Sequence, residues 1–445
     1  MTASKSYLER ILGVFTEVKR GEGAVVLLMT LNVFLILTAY LIAKVVREPL
    51  ILAGGGAEIK SYSAALQVVV LAVFLRIYAS LVANISRRKL INYVTLFFAA
   101  CLVAFFFLSR ANANIGVVYF IWVGIFSLVV IAQFWSFAND IYAPSEGKRL
   151  FVIIQFGASA GGVFGPMLAS FLLRFFGVYE LLLVSAAMLV ASLAITNYVE
   201  SRQGSGSNEV RTGEEEPETK PEISRKGAFR VVLLSKYLLM IAVMVLMTNW
   251  VNSTGEYILG KSISAAAAEV AGGDQEVERE YIAGFYSRFF AVVGAVGLLF
   301  QLLFVSRIIK FGGIRFAVMI QPIIALGGYG LIAAMPFLKF IKGPKIAENA
   351  ADYSLNSTVR NILFLPTTTE QKYKAKVAID SFFVRVGDVL SALLVFVGIT
   401  FLEFGIRGFA LFNVGLVLIW LLFAYGIGKE HQRLVDANGK TGAPS

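Results

Sequence analysis

The sequence predicts an all-α polytopic membrane protein whose twelve crossings form two pseudo-symmetric bundles of six helices. Three observations lead there. The 445 residues are 58% hydrophobic and 16% charged, with a mean hydropathy of +0.75, well above the apolar share of about 45–50% found in soluble domains. Apolar runs close to the roughly 20 residues that a bilayer requires recur along the whole chain. Basic residues, finally, gather on alternate connections between those runs. No β-barrel alternation is visible, which leaves helices as the other backbone form that satisfies its own hydrogen bonds in lipid.

The spans fall near 23–43, 62–83, 90–108, 116–138, 150–173, 178–198, 231–251, 281–305, 315–335, 346–365, 376–400 and 407–427. The basic connections carry Arg87, Arg88 and Lys89, then Lys148 and Arg149, then Arg307, Lys310 and Arg315, then Lys372, Lys374 and Lys376, and finally Lys429 and Arg433. Roughly two dozen Lys and Arg on that side against about eleven on the other put both termini in the cytoplasm of a bacterial inner-membrane type protein. The net charge of +11 is then a matter of topology, and no nucleic-acid partner is expected. The bilayer is the expected surrounding, and a monomer the expected state. Residues 1–22 lack a cleavable apolar core, so no signal peptide is read. One cysteine, Cys101, and one histidine, His431, exclude an intrachain disulfide and leave no basis for a metal centre or histidine catalysis in the membrane. No cofactor and no metal are expected, and with no nucleophile–base pair visible the chain does not read as an enzyme.

In chain order, residues 1–22 form an amphipathic segment with Leu8, Ile11, Leu12 and Phe15 on one face. The first span closes on Lys44, Arg47 and Glu48, one helical turn apart, and Pro49 can break the helix there before the glycine turn at 54–56. Arg76 in the second span costs about 2.5–3.5 kcal/mol unless it is paired or wet. Asp140 stands one turn beyond the apolar run 121–137 and reads as a buried carboxylate. Pro144 and Gly147 make the following turn, and Gly157, Gly161 and Gly165 give the fifth span a small-residue surface for close helix contact. The polar stretch 200–226 reads as a disordered linker between bundles at 23–199 and 227–428, with a cytoplasmic tail at 429–445. A faint internal echo pairs residues 146–148 with 370–372.

The second half is more polar. Its seventh span is expected to end near Trp250, leaving Glu256 at the mouth and 262–280 as an external excursion. Arg288 interrupts the eighth span. Positions 349, 352, 356 and 360 put Asn349, Asp352, Asn356 and Arg360 on one face of the tenth, and the eleventh adds Asp380, Arg385 and Asp388.

Charges inside apolar helices mark substrate pathways and gates. Lys44, Arg47, Asp140, Glu256, Arg288, Arg360 and Arg385 are the candidate substrate-binding residues. Glu48, Asp352, Asp380 and Asp388 are the candidate gating or coupling residues. Confined cations favour phosphate or carboxylate ligands, arginine through its planar fork. Two similar halves suit alternating access around a midplane site. The residues leave three readings open: an exchanger of phosphorylated anions, an ion-coupled transporter of another organic anion, and a transporter-shaped sensor or scaffold.

The stretches KVVREPL, FWSFANDIYAPSEGKRLF, YIAGFYSRFFAVVGAVGLLF followed by SRIIKFGG, and KYKAKVAIDSFFVRVG resemble corresponding stretches of the ATP/ADP translocase family of plastids and intracellular bacteria, a branch of the major facilitator superfamily. The resemblance implies the twelve-span major facilitator fold, binding of a small anionic substrate of the nucleotide class, and exchange of ATP for ADP. It implies Arg47 as a phosphate partner, Asp140 as the acidic residue after FAN, Glu256 as the acidic residue after the seventh span, and Arg360 and Arg385 as further cations. Two positions depart from the family. Pro49 follows Glu48, and Asp388 stands where a lysine is usual, which sets an anion near the expected phosphate charge.

Overall fold

The computed structural model describes residues 16, 18–19, 21–204, 225–368, 375–376 and 378–441. Most of the amphipathic segment at 1–22, most of the linker at 200–226, the turn at 370–372 and the end of the tail lie outside the described residues. Among the described residues there is no strand. The helices are α1 (Glu22–Asn84), α2 (Arg87–Arg110), α3 (Gly116–Ile141), α4 (Pro144–Leu172), α5 (Glu180–Gly204), α6 (Arg225–Leu234), α7 (Lys236–Ala271), α8 (Gln275–Phe300), α9 (Ser306–Ala334), α10 (Leu338–Ala351), α11 (Ser357–Leu363), α12 (Val384–Thr400) and α13 (Ile406–Thr441). Single π-helical turns at Gln301–Val305, Asp352–Asn356 and Ile379–Phe383 join or precede helices in the second half, a local widening often found at functional positions.

Nine helical stretches among the described residues are long and apolar enough to cross a membrane. Two of them, of 57 and 60 residues, are nearly three times the roughly 20 residues of one crossing. Each contains one glycine outside helical geometry, Gly56 (φ 75°) and Gly313 (φ 68°). A residue with a Cβ is disfavoured at such positive φ, so glycine is what allows the chain to kink there. The glycine turn is therefore real, but Pro49 does not break α1, which runs on through it. Its missing N–H is one lost bond in a long helix, too little to end it when the flanking residues Val45, Val46, Leu50 and Ile51 are buried.

Contacts gather the chain into two units. The first comprises Met1–Gly54, Val69–Glu216 and Gln275–Ala291. Its core is an aromatic column: Trp122 stacks on Phe126 at 5.4 Å, Phe98 lies 5.3 Å from Phe126, and Phe105 meets Tyr119 edge-on at 5.0 Å. The small-residue surface of α4 lies against α1. A Cβ at Gly157 would collide with the Thr30 carbonyl oxygen, one at Gly161 would sit 2.6 Å from that of Phe34, and one at Gly165 would sit 3.0 Å from that of Thr38. Four-residue spacing on both helices makes this a continuous seam where backbones touch. On another face of α1, buried Asn32 donates to Thr196 at 2.7 Å and accepts from Ser192 at 2.5 Å, while Ser185 donates to the Ala39 carbonyl at 3.0 Å, so α5 is tied to α1 by polar contacts.

The second unit comprises Gly55–Val68, Pro217–Asp274 and Val292–Ser445. Its centre is α7, which extends unbroken to Ala271. This corrects two expectations: the seventh span does not end near Trp250, and most of 262–280 is helix, with only Gly272, Gly273 and Asp274 between α7 and α8. Ala265 to Ala268 are strong helix formers, and Gly272, left-handed at φ 57°, supplies the C-terminal stop. The last helix likewise continues past residue 428 to Thr441, so the tail expected there begins as helix. α10 starts at Leu338, earlier than the expected span at 346–365, and Pro344 lies inside it.

Candidate functional site

Asn249, Asn252, Ser253 and Glu256 lie three and four residues apart and therefore share one face of α7. Gly255 lies beside them, and a Cβ there would run into the Tyr329 hydroxyl and stand 2.8 Å from Lys345 Nζ. That absence of a side chain lets α9 and α10 bring polar groups against the helix. Lys345 is completely buried, and its Nζ reaches Glu348 at 2.8 Å, Asn252 Oδ1 at 2.9 Å and Glu256 at 3.6 Å. The Tyr329 hydroxyl lies 2.9 Å from one oxygen of Glu348 and 3.1 Å from the Val251 carbonyl. Glu256, whose side chain is 25% exposed, also accepts from Asn349 at 3.2 Å and lies 3.9 Å from Lys60.

Two cations, Lys60 and Lys345, thus face two carboxylates, Glu256 and Glu348. Neutral balance and multiple hydrogen bonds are the conditions under which buried charge is tolerated. Glu256 is the outward member, while Lys60, Lys345 and Glu348 are enclosed. An adjoining cluster ties Glu58, in the part of α1 beyond Gly56, to Lys261 at 2.9 Å and to the Tyr257 hydroxyl at 3.0 Å.

A second group in the same unit centres on Asp388. Its two oxygens accept from Asn249 at 2.8 Å, Ser253 at 2.8 Å and Arg385 at 3.2 Å. Gly387 makes the approach of α12 to α7 possible, because a Cβ there would lie 2.9 Å from the Trp250 nitrogen. The anion that departs from the family pattern is therefore spoken for by Arg385 and by two neutral donors of α7. Asp352, in the π-helical turn, accepts from Gln321 at 3.1 Å and Asn356 at 2.8 Å. Arg360 lies 3.6 Å from Asp380, both about one-third exposed.

The remaining sequence candidates fall in the first unit. Glu48 is fully buried and accepts from Arg47 Nε at 3.0 Å, and the Arg47 guanidinium lies 4.7 Å from the centre of the Phe120 ring. Lys44 Nζ lies 4.5 Å from the centre of the Phe290 ring, a cation–π arrangement. Asp140 corrects its expectation. Its side chain is exposed at the end of α3, because the helix closes at Ile141 and the carboxylate emerges where the backbone leaves it. Arg288 is also exposed, although its neighbours Ser287 and Phe289 are buried. Arg76 is exposed on a face where Val73 and Ile77 are exposed as well.

Glu256, Asp352, Arg360, Asp380, Arg385 and Asp388 therefore share the second unit, and Lys44, Arg47, Glu48, Asp140 and Arg288 the first. Lys345, Lys60 and Tyr329 were not singled out in the sequence. Lys345 falls one residue before the expected tenth span, behind Gly343 and Pro344, and so reads as a loop cation. The available signal was its spacing: 345, 348, 349 and 352 fall on one helical face.

Comparisons with known proteins agree with this architecture. The ADP,ATP carrier protein 5 of Rickettsia prowazekii (strain Madrid E) is 21% identical over 467 residues, covering 88% of this chain and 89% of that protein. The ADP,ATP carrier protein 2 of Chlamydia pneumoniae is 20% identical over 369 residues, covering 72% and 67%. Among solved structures, the nucleoside transporter NupG matches 92% of this chain and 99% of its own with a TM-score of 0.60 at 11% identity. A bacterial homologue of the iron transporter ferroportin in its inward-facing state matches 91% and 98% with a TM-score of 0.63 at 12% identity. The pattern of the Major Facilitator Superfamily matches residues 23–342. The family and the fold are those of transporters, carried here by an integral membrane chain of apolar helices: this protein belongs to the major facilitator superfamily.

Proposed function

We propose that the chain is a secondary transporter of twelve crossings that works by alternating access and exchanges nucleotides of the ATP/ADP kind, or closely related phosphorylated anions. The observation that carries this reading is the network around Lys345. It is a buried ammonium held between Glu348 and Glu256, with Lys60 beside the partly exposed Glu256. An incoming phosphate can take the place of Glu256 on the two lysines, so that binding costs the exchange of one anion for another rather than the creation of a buried charge. The carrier proteins of Rickettsia and Chlamydia support the choice of a nucleotide. In this reading Arg385 and Arg360 are further cations whose pairing with Asp388 and Asp380 is broken and remade during the cycle. Within the first unit, Arg47, Lys44 and Arg288 are the candidate cations of this reading, Arg47 as a phosphate contact set by Glu48. Both termini are cytoplasmic and the working unit is a monomer in a bacterial inner membrane.

The second reading, an ion-coupled transporter of another organic anion, is favoured by Glu348, a carboxylate enclosed with Tyr329 and Lys345 and so placed to hold or release a proton. Proteoliposomes separate the two. Vesicles loaded with ADP are expected to take up labelled ATP far faster than empty ones. Uptake that ignores internal nucleotide and follows an imposed pH gradient would overturn exchange in favour of ion coupling. No uptake with any nucleotide pair would remove the substrate class.

A further inference from the structure

At one end of the second unit, on the side of the basic connections, a hollow of about 460 Å³ opens between α9 and α13, lined by Arg315, Lys429, Gln432, Arg433 and Asp436. Gly428 is what brings the two helices together: a Cβ there would lie 2.9 Å from Cα of Arg315. Arg315 does not wave free. It donates to the Tyr425 hydroxyl at 3.0 Å, and its guanidinium lies 4.9 Å from the centre of that ring. A planar fork fixed by an aromatic face loses little freedom when it binds an oxyanion. Gln432 is turned away from this role by its bond to Asp436 at 2.9 Å, and Arg433 lies 3.6 Å from Glu430. Three cations less the two carboxylates Asp436 and Glu430 leave a surplus of one positive charge, which matches one phosphodiester.

What adjoins the hollow is apolar and uncovered. Along α13, residues 418, 422, 425, 429 and 433 form a stripe that begins with Leu418 and Leu422, passes through Tyr425 and ends in Lys429 and Arg433. Leu422 is 74% exposed, and Phe311 and Phe316, flanking Arg315, are 80% and 54% exposed. An exposed surface that passes from large apolar groups through an aromatic to converging cations within a few turns has the profile of a bilayer boundary. We propose that this hollow is a binding site for an anionic glycerophospholipid, its phosphodiester held by Arg315, Lys429 and Arg433 and its acyl chains lying along Leu422, Phe311 and Phe316. A soluble phosphate would satisfy the cations but leave that apolar surface unused. The site is independent of the transport reading above.

The test uses the full-length protein in nanodiscs of phosphatidylcholine containing increasing phosphatidylglycerol, with bound lipid counted by native mass spectrometry and unfolding followed in parallel. Wild type is expected to retain phosphatidylglycerol preferentially and to unfold at a higher temperature as its fraction rises. Arg315→Gln/Arg433→Gln should bind it about 30-fold more weakly, near fivefold for each cation, while unfolding as wild type does in pure phosphatidylcholine. Lys339→Gln/Arg407→Gln, which removes the same charge from exposed positions elsewhere in this unit, should behave as wild type. Equal loss in both double variants would mean that general surface charge, not this hollow, attracts the lipid. An equal stabilisation by millimolar inorganic phosphate in pure phosphatidylcholine would mean a free-anion site. Either result overturns the proposal.

Discussion

Lys345 is completely enclosed, and its Nζ is held by Glu348, Glu256 and Asn252. Truncating either member of the enclosed pair strands the other, so Lys345→Met or Glu348→Leu alone is expected to destabilise the protein by about 3–5 kcal/mol. Replacing both together should restore most of that loss, because apolar residues of similar volume substitute well for a buried pair. Unfolding of the three variants in one detergent, read as a thermodynamic cycle, checks this. Asp388 gives a second expectation. It neutralises Arg385 at 3.2 Å, so Asp388→Asn should lower the KM for a phosphorylated substrate, whereas Arg385→Gln should raise it, with Asp388 still held by Asn249 and Ser253. Uptake kinetics decide between these directions. Arg385 and Asp388 could be picked out in the sequence because a charge inside an apolar run is conspicuous, and Glu256 because it stands just beyond one. Lys345 is masked by Gly343 and Pro344, which resemble the end of a helix; its spacing with 348, 349 and 352 is the one sequence sign of it, and the packing of α10 against Gly255 shows that the helix passes through them. Asp140 was conspicuous for the same reason as Glu256, yet sits at a helix end in the open.

At the scale of elements, the small-residue face of α4 was legible from glycine spacing, because 157, 161 and 165 repeat every four residues, but its partner α1 was not. Gly161→Leu would drive atoms into the Phe34 carbonyl and is expected to cost at least about 1–3 kcal/mol. Gly162 has nothing within 4 Å of its added Cβ, so Gly162→Ala should be neutral or slightly stabilising. Comparison of their melting temperatures isolates close approach from the general effect of replacing glycine. The length of α7 was not legible, because the small and acidic residues from 262 to 280 look like loop composition. Alanine's helix propensity and burial of Ile263 and Ala267 carry the helix on to Gly272. That extension places Glu256 in mid-helix, beside Lys345, and thereby creates the site.

At the scale of the molecule, hydropathy and the rhythm of basic connections foretold an all-helical transporter fold, since both follow from the bilayer and not from detailed packing. Two long apolar stretches are kinked at Gly56 and Gly313, so apolar length alone does not mark where one helix ends and the next begins. Which charges meet was beyond the sequence, because helix rotation is set by side-chain fit across neighbours such as Gly255 and Gly387. The most direct measurement is exchange of external labelled ATP for internal ADP in proteoliposomes, made side by side on wild type and on Lys345→Met/Glu348→Leu, with the folded fraction of each determined in the same vesicles. The expected result is rapid exchange by wild type and none by an equally well-folded double variant. Exchange by the double variant at the wild-type rate would contradict a substrate site built on Lys345.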